Sequence, residues 1–300
     1  MAYTQKIVFY KIRNFSQKLN ATIEFIRQNV KSLGKAILYI LGPLAILNGL
    51  LFSQYIDFAF GNMSAQDPID IQNPFAFVFN PTYIGFIILS IFSALLNFAI
   101  IFNFMKIYKS KYPEEITVTE VLNASWRDVL SLFVLGFITT ILIMVGFFAF
   151  IIPGIYLMVV LSLAIPILFF EGNGIFESIG RSFKLIKGKW WSTFGLLIVA
   201  SILMYAVSMI FILPFYVFYF ISIFTLIEEI GFSADTSSWW FQGGMTLSVM
   251  FMILGSFLTY SIPMVALSFQ YFNLVERQES VGLMSEIEEL DSGENNRMRE

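Results

Sequence analysis

From Phe133 to Pro153 the chain reads FVLGFITTILIMVGFFAFIIP, without a single charged side chain. A run of about 20 apolar residues is long enough to cross the hydrocarbon core of a bilayer as a helix. No water is present there to satisfy backbone groups, so only helices and closed barrels can span. Barrel strands are about 10 residues long and alternate polar with apolar, whereas this run is longer and does not alternate. Similar runs recur along the chain, and the predicted fold class is therefore all-α: a polytopic membrane helix bundle. The charged fraction of 13% fits, since soluble domains carry about 25%.

About six transmembrane helices are expected, in a single domain over residues 36–275, at about 36–57, 82–105, 129–152, 155–170, 190–213 and 244–272. Lys106, Lys109 and Lys111 stop the second, Pro153-Gly154 reads as the tight turn between the third and fourth, and Pro263 kinks the sixth. The loop 58–81, rich in Asn, Pro, Asp and Phe, reads as an ordered extracytoplasmic excursion. Residues 215–230 are apolar but short, between Pro214 and Gly231. They fit a re-entrant or interfacial helix, or an extension of the fifth span beyond a proline kink.

Two segments carry helical amphipathic patterns. Residues 1–35 are basic, lack the long apolar core of a signal peptide, and repeat Phe15, Leu19, Ile23, Ile26, Val30 and Leu33 on one stripe, with Lys18, Glu24, Gln28 and Lys31 opposite. Between the fourth and fifth spans, Phe176, Ile179, Phe183 and Ile186 share a face, and Arg181, Lys184 and Lys187 lie on or beside the other. Both are expected to lie in the cytoplasmic membrane interface. Thr117 and Glu120 have capping-box spacing and open a short helix toward Trp126. Residues 276–300 form an acidic tail too poor in apolar surface to fold alone.

Charge placement sets the expected orientation. With six spans and both termini in the cytoplasm, all 18 Lys and Arg residues fall on the cytoplasmic side. Asp57, Asp67, Asp70, Glu228, Glu229 and Asp235 fall outside. A seventh span over 215–230 would send Arg277, Arg297 and Arg299 across. A unit of amphipathic helix, span out and span back is expected three times, over about 15–105, 117–170 and 176–272. FIRQNVKSLGKAILYILGPLAIL matches FKLIKGKWWSTFGLLIVASIL, and LSLAIPILFF matches LTYSIPMVALSF, which puts Pro166 and Pro263 in corresponding places. The units run in the same direction, a parallel repeat.

The chain has no Cys and no His, hence no thiolate ligand and neither the commonest metal ligand nor the commonest general base. No catalytic residue, cofactor or metal site is expected, and a net charge of −3 gives no pull toward nucleic acid. No charged residue falls at mid-membrane depth, which argues against a proton-coupled pump. Of the intramembrane amides Asn48, Gln54, Asn97, Asn103, Gln270 and Asn273, the deepest are Asn48 and Asn97, on the helices of one hairpin. Such groups bond across helices; lining a cavity, they would be the solute-binding candidates. Glu171 and Glu177 are expected to form ion pairs with Arg181 and Lys184, while Arg181, Lys184 and Lys187 are the candidate lipid-headgroup contacts. Gly136, Gly146, Gly195 and Gly255 are expected to let helices approach closely. Trp190-Trp191 and Trp239-Trp240 suit opposite interfaces.

The stretch IIPGIYLMVVLSLAIPILFFEGNGIFESIGRSFKLIKGKWWSTFG resembles a superfamily of bacterial integral membrane domains. That group includes the membrane domain attached to some glycerophosphoryl diester phosphodiesterases, together with uncharacterised families. The matching residues are Pro153, Gly154, Glu171, Gly172, Ile179, Arg181, Ser182, Gly188 and Trp190. The resemblance implies a bacterial inner-membrane protein. It does not carry over phosphodiesterase chemistry, which belongs to a separate His- and metal-bearing barrel. The leading expectation is a non-enzymatic scaffold or accessory subunit that meets membrane lipids and other membrane proteins or itself. The alternative is a conduit or transporter for a lipid or weakly polar solute, suggested by Pro43, Pro166 and Pro263 within spans and by the amides at depth.

Overall fold

The computed structural model describes residues 6–64, 78–226, 238–284 and 287. Among them every regular element is helical: α1 (Phe15–Ser64), α2 (Pro81–Tyr108), a 3₁₀ turn at Pro113–Glu115, α3 (Val118–Ala149), α4 (Ile151–Ser162), α5 (Ala164–Glu171), α6 (Ile175–Leu185), α7 (Trp190–Leu226), α8 (Trp239–Thr259) and α9 (Ser261–Glu279). Taken as continuous paths, α4–α5 and α8–α9 join α1, α2, α3 and α7 as six units long and apolar enough to cross a membrane. The long apolar side chains of α3 (Leu130, Phe137, Val145, Phe148) point outward, as expected where lipid rather than water surrounds the bundle.

Helix α1 is the hub, touching α2, α3, α7, α8 and α9. At one end of the bundle the N-terminal strap before α1 tucks Phe9 into an aromatic core with Phe25, Tyr108, Phe269 and Phe272. Ring centroids lie 4.8 Å apart for Phe9–Phe272 and 5.0 Å for Phe25–Tyr108.

Several boundaries differ from the sequence reading. The basic amphipathic segment is no separate interfacial helix; it is the first part of α1, which runs unbroken into the first span. Its buried face is also rotated. Lys18, Thr22, Phe25, Asn29 and Leu33 are buried, while Phe15, Ile23 and Val30 are exposed. Phe15, Ile23 and Val30 of the apolar stripe thus face outward, as lipid surroundings permit, while Leu33 of the same stripe is buried.

The turn between the third and fourth spans falls at Phe150, whose backbone is extended (φ −167°, ψ 162°), and not at Pro153-Gly154. Pro153 sits in the first turn of α4, where its missing N–H costs nothing. Gly154 instead lets α4 close on α3: a Cβ there would lie 2.4 Å from Cγ of Phe147. Gly146 and Gly255 are similarly tight, but Gly136 has nothing within 4 Å and Gly195 only an ordinary contact.

Of the readings open for the segment beyond Pro214, the extension of the fifth span is the one seen: α7 continues to Leu226. Residues 227–230 of that segment, together with Asp67, Asp70, Glu228, Glu229, Asp235 and most of the acidic tail, lie outside the described residues. The described start of the tail is ordered, with Glu276 buried and Glu279 paired to Arg181.

The repeat appears in the structure in two forms. Helices α5 and α9 both begin after a single-residue break, at Leu163 and Tyr260, and both place proline third (Pro166, Pro263). The starts of the three units align as NFSQKLNATIE (14–24), TVTEVLNASWR (117–127) and GIFESIGRSFK (174–184). Each opens with a cap residue, and each carries Gln or Glu three residues later. Asn14 and Gln17 bond reciprocally through 2.9 and 2.8 Å contacts, the Glu120 N–H donates to Oγ1 of Thr117, and the Gly174 N–H donates to Glu177. The fifth positions (Lys18, Val121, Ser178) and ninth positions (Thr22, Ser125, Ser182) are all buried, one helical turn apart on the face toward the bundle.

Candidate functional site

The two deep amides are both fully buried, at the interior crossings of α1, α2 and α8. Asn48 on α1 donates to the Leu44 carbonyl at 2.9 Å and to Oγ of Ser93 at 3.1 Å, and accepts from Oγ of Ser90 at 2.9 Å. Its amide therefore ties α1 to α2. Asn97 on α2 donates to the Phe257 carbonyl of α8 at 3.1 Å, just before the break at Tyr260. Oδ1 of Asn97 has no hydrogen-bond partner. The two residues bond to different elements and do not converge on one cavity.

A hollow of about 500 Å³ does open between α2 and α3, walled by Ile88, Phe92, Leu95, Trp126, Leu130 and Phe133. It is almost wholly apolar, so it suits a hydrocarbon chain rather than a polar solute. Closer to the strap end, Asn103 donates to Asp128 at 2.8 Å and fixes the α2–α3 crossing.

The richest polar constellation lies where α5, α6 and α9 meet. Gly172 takes a left-handed backbone (φ 70°) that ends α5 and turns the chain into α6, leaving Glu171 facing α6 and α9. Nε of Arg181 lies 3.2 Å from both Glu171 oxygens, and its NH2 group also reaches Glu279. Glu171 accepts further from Asn173 at 2.7 Å and from the Tyr271 hydroxyl at 3.1 Å. Burial raises the Tyr10 phenol's pKa, and the charge of Glu171 adds to this, with smaller contributions from Glu279 and Glu276; a hydrogen bond with Tyr271 opposes it. Tyr10 thus lies as a neutral phenol at the edge of a carboxylate cluster held by one arginine.

The candidate headgroup contacts therefore separate. Arg181 is engaged in holding α5, α6 and α9 together, whereas Lys184 and Lys187 are exposed. The face α6 turns to the bundle is Ser178, Ser182 and Leu185, flanked by Ile186 and half-buried Phe183; Phe176, expected to share the apolar face of Phe183 and Ile186 at the membrane interface, is 77% exposed. Glu177 caps its own helix and Glu171 makes the ion pair, so only part of the expected Glu171/Glu177 pairing is seen.

Lys18 is a residue that the sequence reading placed on the wrong side. It is completely buried, donating to Gln270 at 2.5 Å and to Ser192 at 3.0 Å. Gln270 passes the chain on to Thr193 at 2.8 Å, which joins α1, α7 and α9. The spacing of Lys18, Thr22 and Asn29 with Phe25 was the available signal: a polar stripe at helical period. Among the described residues no group of three or more His, Cys, Asp or Glu side chains is placed to hold a metal ion.

Comparison with known proteins places this layout. The family profile described as "Uncharacterised protein family (UPF0259)" matches residues 78–233, which include Asn97, Glu171, Arg181, Lys184 and Lys187. The UPF0259 membrane protein BUAPTUC7_273 of Buchnera aphidicola (strain Tuc7) is 52% identical over 52 residues, 17% of this chain and 21% of that protein. A UPF0259 membrane protein of Buchnera aphidicola (strain Sg) is 44% identical over 64 residues, 21% of this chain and 26% of that protein. The chain thus spans about a fifth to a quarter of the curated relatives it matches. No solved structure matches it. With six helices of membrane-spanning length and the profile covering more than half its residues, the chain is an integral membrane protein that belongs to the uncharacterised protein family UPF0259.

Proposed function

We propose that this protein is a non-catalytic scaffold or accessory subunit of a complex in the bacterial cytoplasmic membrane, with both termini in the cytoplasm. One observation carries the reading: the buried Asn48 and Lys18 and the half-buried Glu171 are bonded to neighbouring helices rather than to an open path. Asn48 joins Ser90 and Ser93, Lys18 joins Gln270 and Ser192, and Glu171 joins Arg181 and Tyr271. Such contacts hold a bundle in one arrangement, at about 0.6–2 kcal/mol each between membrane helices. The partners are other membrane proteins or further copies, together with lipid. The membrane domain of glycerophosphoryl diester phosphodiesterases is, in this reading, a distant cousin with the same layout around Glu171 and Arg181. The test is recovery of the full chain from mild detergent with quantitative mass spectrometry. A partner or self-assembly at fixed stoichiometry is expected; a monomer that passes a solute across proteoliposomes would reverse the assignment.

The orientation rests on the cationic residues at the strap end of the bundle, which the positive-inside rule places in the cytoplasm. The chain has no native cysteine, so Ser110→Cys supplies a single label. It should react with an impermeant thiol reagent only after cells are permeabilised. Labelling of intact cells would invert the topology.

The second reading, a lipid conduit, is favoured by the apolar hollow between α2 and α3 and by the unpartnered Oδ1 of Asn97.

A further inference from the structure

The N-terminal strap does more than close the aromatic core. Residues 6–12 arch over the ends of α2 and α9 and meet the turn that follows α9, bounding an open pocket of about 940 Å³. The turn is set by Ser280 in a left-handed conformation (φ 51°). Gly282 lets it close against the strap, where a Cβ would stand 2.7 Å from the Tyr10 carbonyl oxygen.

The chemistry of the wall is one-sided. Lys6, Lys11 and Lys109 line it against a single carboxylate, Glu276. Glu276 is 7% exposed and already accepts from the N–H groups of Gly282 (2.7 Å) and Leu283 (3.3 Å). Among the described residues none of the three lysines forms an ion pair. Aromatic faces hold two of them in place: Nζ of Lys109 stands 5.0 Å from the Tyr10 ring centre, and Nζ of Lys6 stands 5.5 and 5.4 Å from Tyr108 and Tyr112. Burial lowers the Lys109 pKa, and the like charge of Lys106 adds to the effect. A cation held this way lacks a counter-charge and gains from an incoming anion. Around the cations the rim is apolar and exposed, at Val8, Ile12 and Leu283.

We propose that this strap pocket binds a phosphate group, with Lys6, Lys11 and Lys109 as its cationic wall. An apolar rim around clustered lysines fits an anionic phospholipid, whose phosphate would enter while its acyl chains lie along Val8, Ile12 and Leu283. A soluble phosphate would use the same lysines without the rim. The pocket shares Tyr10 with the edge of the Arg181 constellation but has its own cations, and it does not depend on the scaffold reading.

The test uses the purified full chain in mild detergent, with phosphatidylglycerol and phosphatidylcholine as probes read by native mass spectrometry. A lysine near an anionic surface contributes about a fivefold factor in affinity. Lys6→Gln, Lys11→Gln and Lys109→Gln together should therefore remove about a hundredfold of the preference for phosphatidylglycerol. The matched set Arg27→Gln, Lys31→Gln and Lys35→Gln should change it less than about twofold. Should the first triple variant fail to fold, Lys11→Gln alone, on the exposed strap, should still show the fivefold step. Displacement of bound lipid by low millimolar inorganic phosphate assigns the pocket to a soluble phosphate; retention of the lipid assigns it to the phospholipid. Equal binding of the two lipids without phosphate binding, or equal losses in both triple variants, overturns the proposal.

Discussion

The starts of α1 and α3 and the whole of α6 follow one local pattern, yet their fates differ. All three open on a cap with Gln or Glu three residues later, and all three bury the fifth and ninth positions. Helices α1 and α3 continue into the membrane as single rods, whereas α6 ends at Leu185 and a new helix starts at Trp190. Gly188 accounts for the break: it has φ +69°, and the Lys189 N–H closes back on the Ile186 carbonyl at 2.9 Å. At the equivalent distance from the cap, α1 has Gln28 and α3 has Ser131, which do not favour that conformation. Whether an amphipathic start stands apart or merges with its span is thus decided by a backbone stop and not by the hydrophobic pattern.

The comparison is tested hardest at the side chains that the shared pattern buries. Phe25 is fully buried among Phe9, Phe104, Tyr108 and Phe269, and its counterpart in α6, Leu185, is buried as well. Phe25→Ala should lower stability by about 3–5 kcal/mol through lost burial and a residual cavity. Phe176→Ala, at a site 77% exposed, should change it by less than about 0.5 kcal/mol. Unfolding of the detergent-solubilised chain measures both. A cost at Phe176 comparable with that at Phe25 would mean that α6 docks through the Phe176 face after all.

This contrast also shows how much was legible in the sequence. The fold class and the approximate spans follow from apolar run length, which the bilayer sets directly. The Thr117–Glu120 cap was readable because both partners are local. Facing was not: periodicity gives the direction of a stripe around a helix, but not whether that stripe meets lipid or protein. Hence Lys18, expected opposite the apolar stripe, is buried in the bundle, while Phe176, which shares the pattern of Phe183 and Ile186, faces outward. Proline is ambiguous in the same way. Pro153 reads as a turn, but a first-turn proline disturbs nothing; Pro214 leaves both an interruption and an extension open, and α7 passes through it, as membrane helices tolerate proline. Of the candidate sites, Glu171 with Arg181 was readable from adjacency across a turn. The participation of Tyr10, Tyr271 and Glu279 required the strap and α9 to be brought to the same end.

A smaller and more specific test lies in the two glycines of the α6 region, for which opposite signs are expected. Gly180 lies inside α6, and a Cβ there would meet nothing within 4 Å. Gly180→Ala removes backbone freedom from the unfolded chain without a clash and should stabilise by about 0.5–1 kcal/mol. Gly188 is equally open in space, so sterics with neighbours cannot distinguish the two sites. What distinguishes them is the backbone, since an L-residue at φ +69° costs about 1–2 kcal/mol. Gly188→Ala should therefore destabilise by that amount, and Gly188→Asn, which tolerates the left-handed region better, should recover part of it. Thermal midpoints of the three variants give the comparison directly. A neutral or stabilising Gly188→Ala would mean that the α6–α7 junction can straighten at no cost, and that the third unit readily takes the continuous form of α1 and α3.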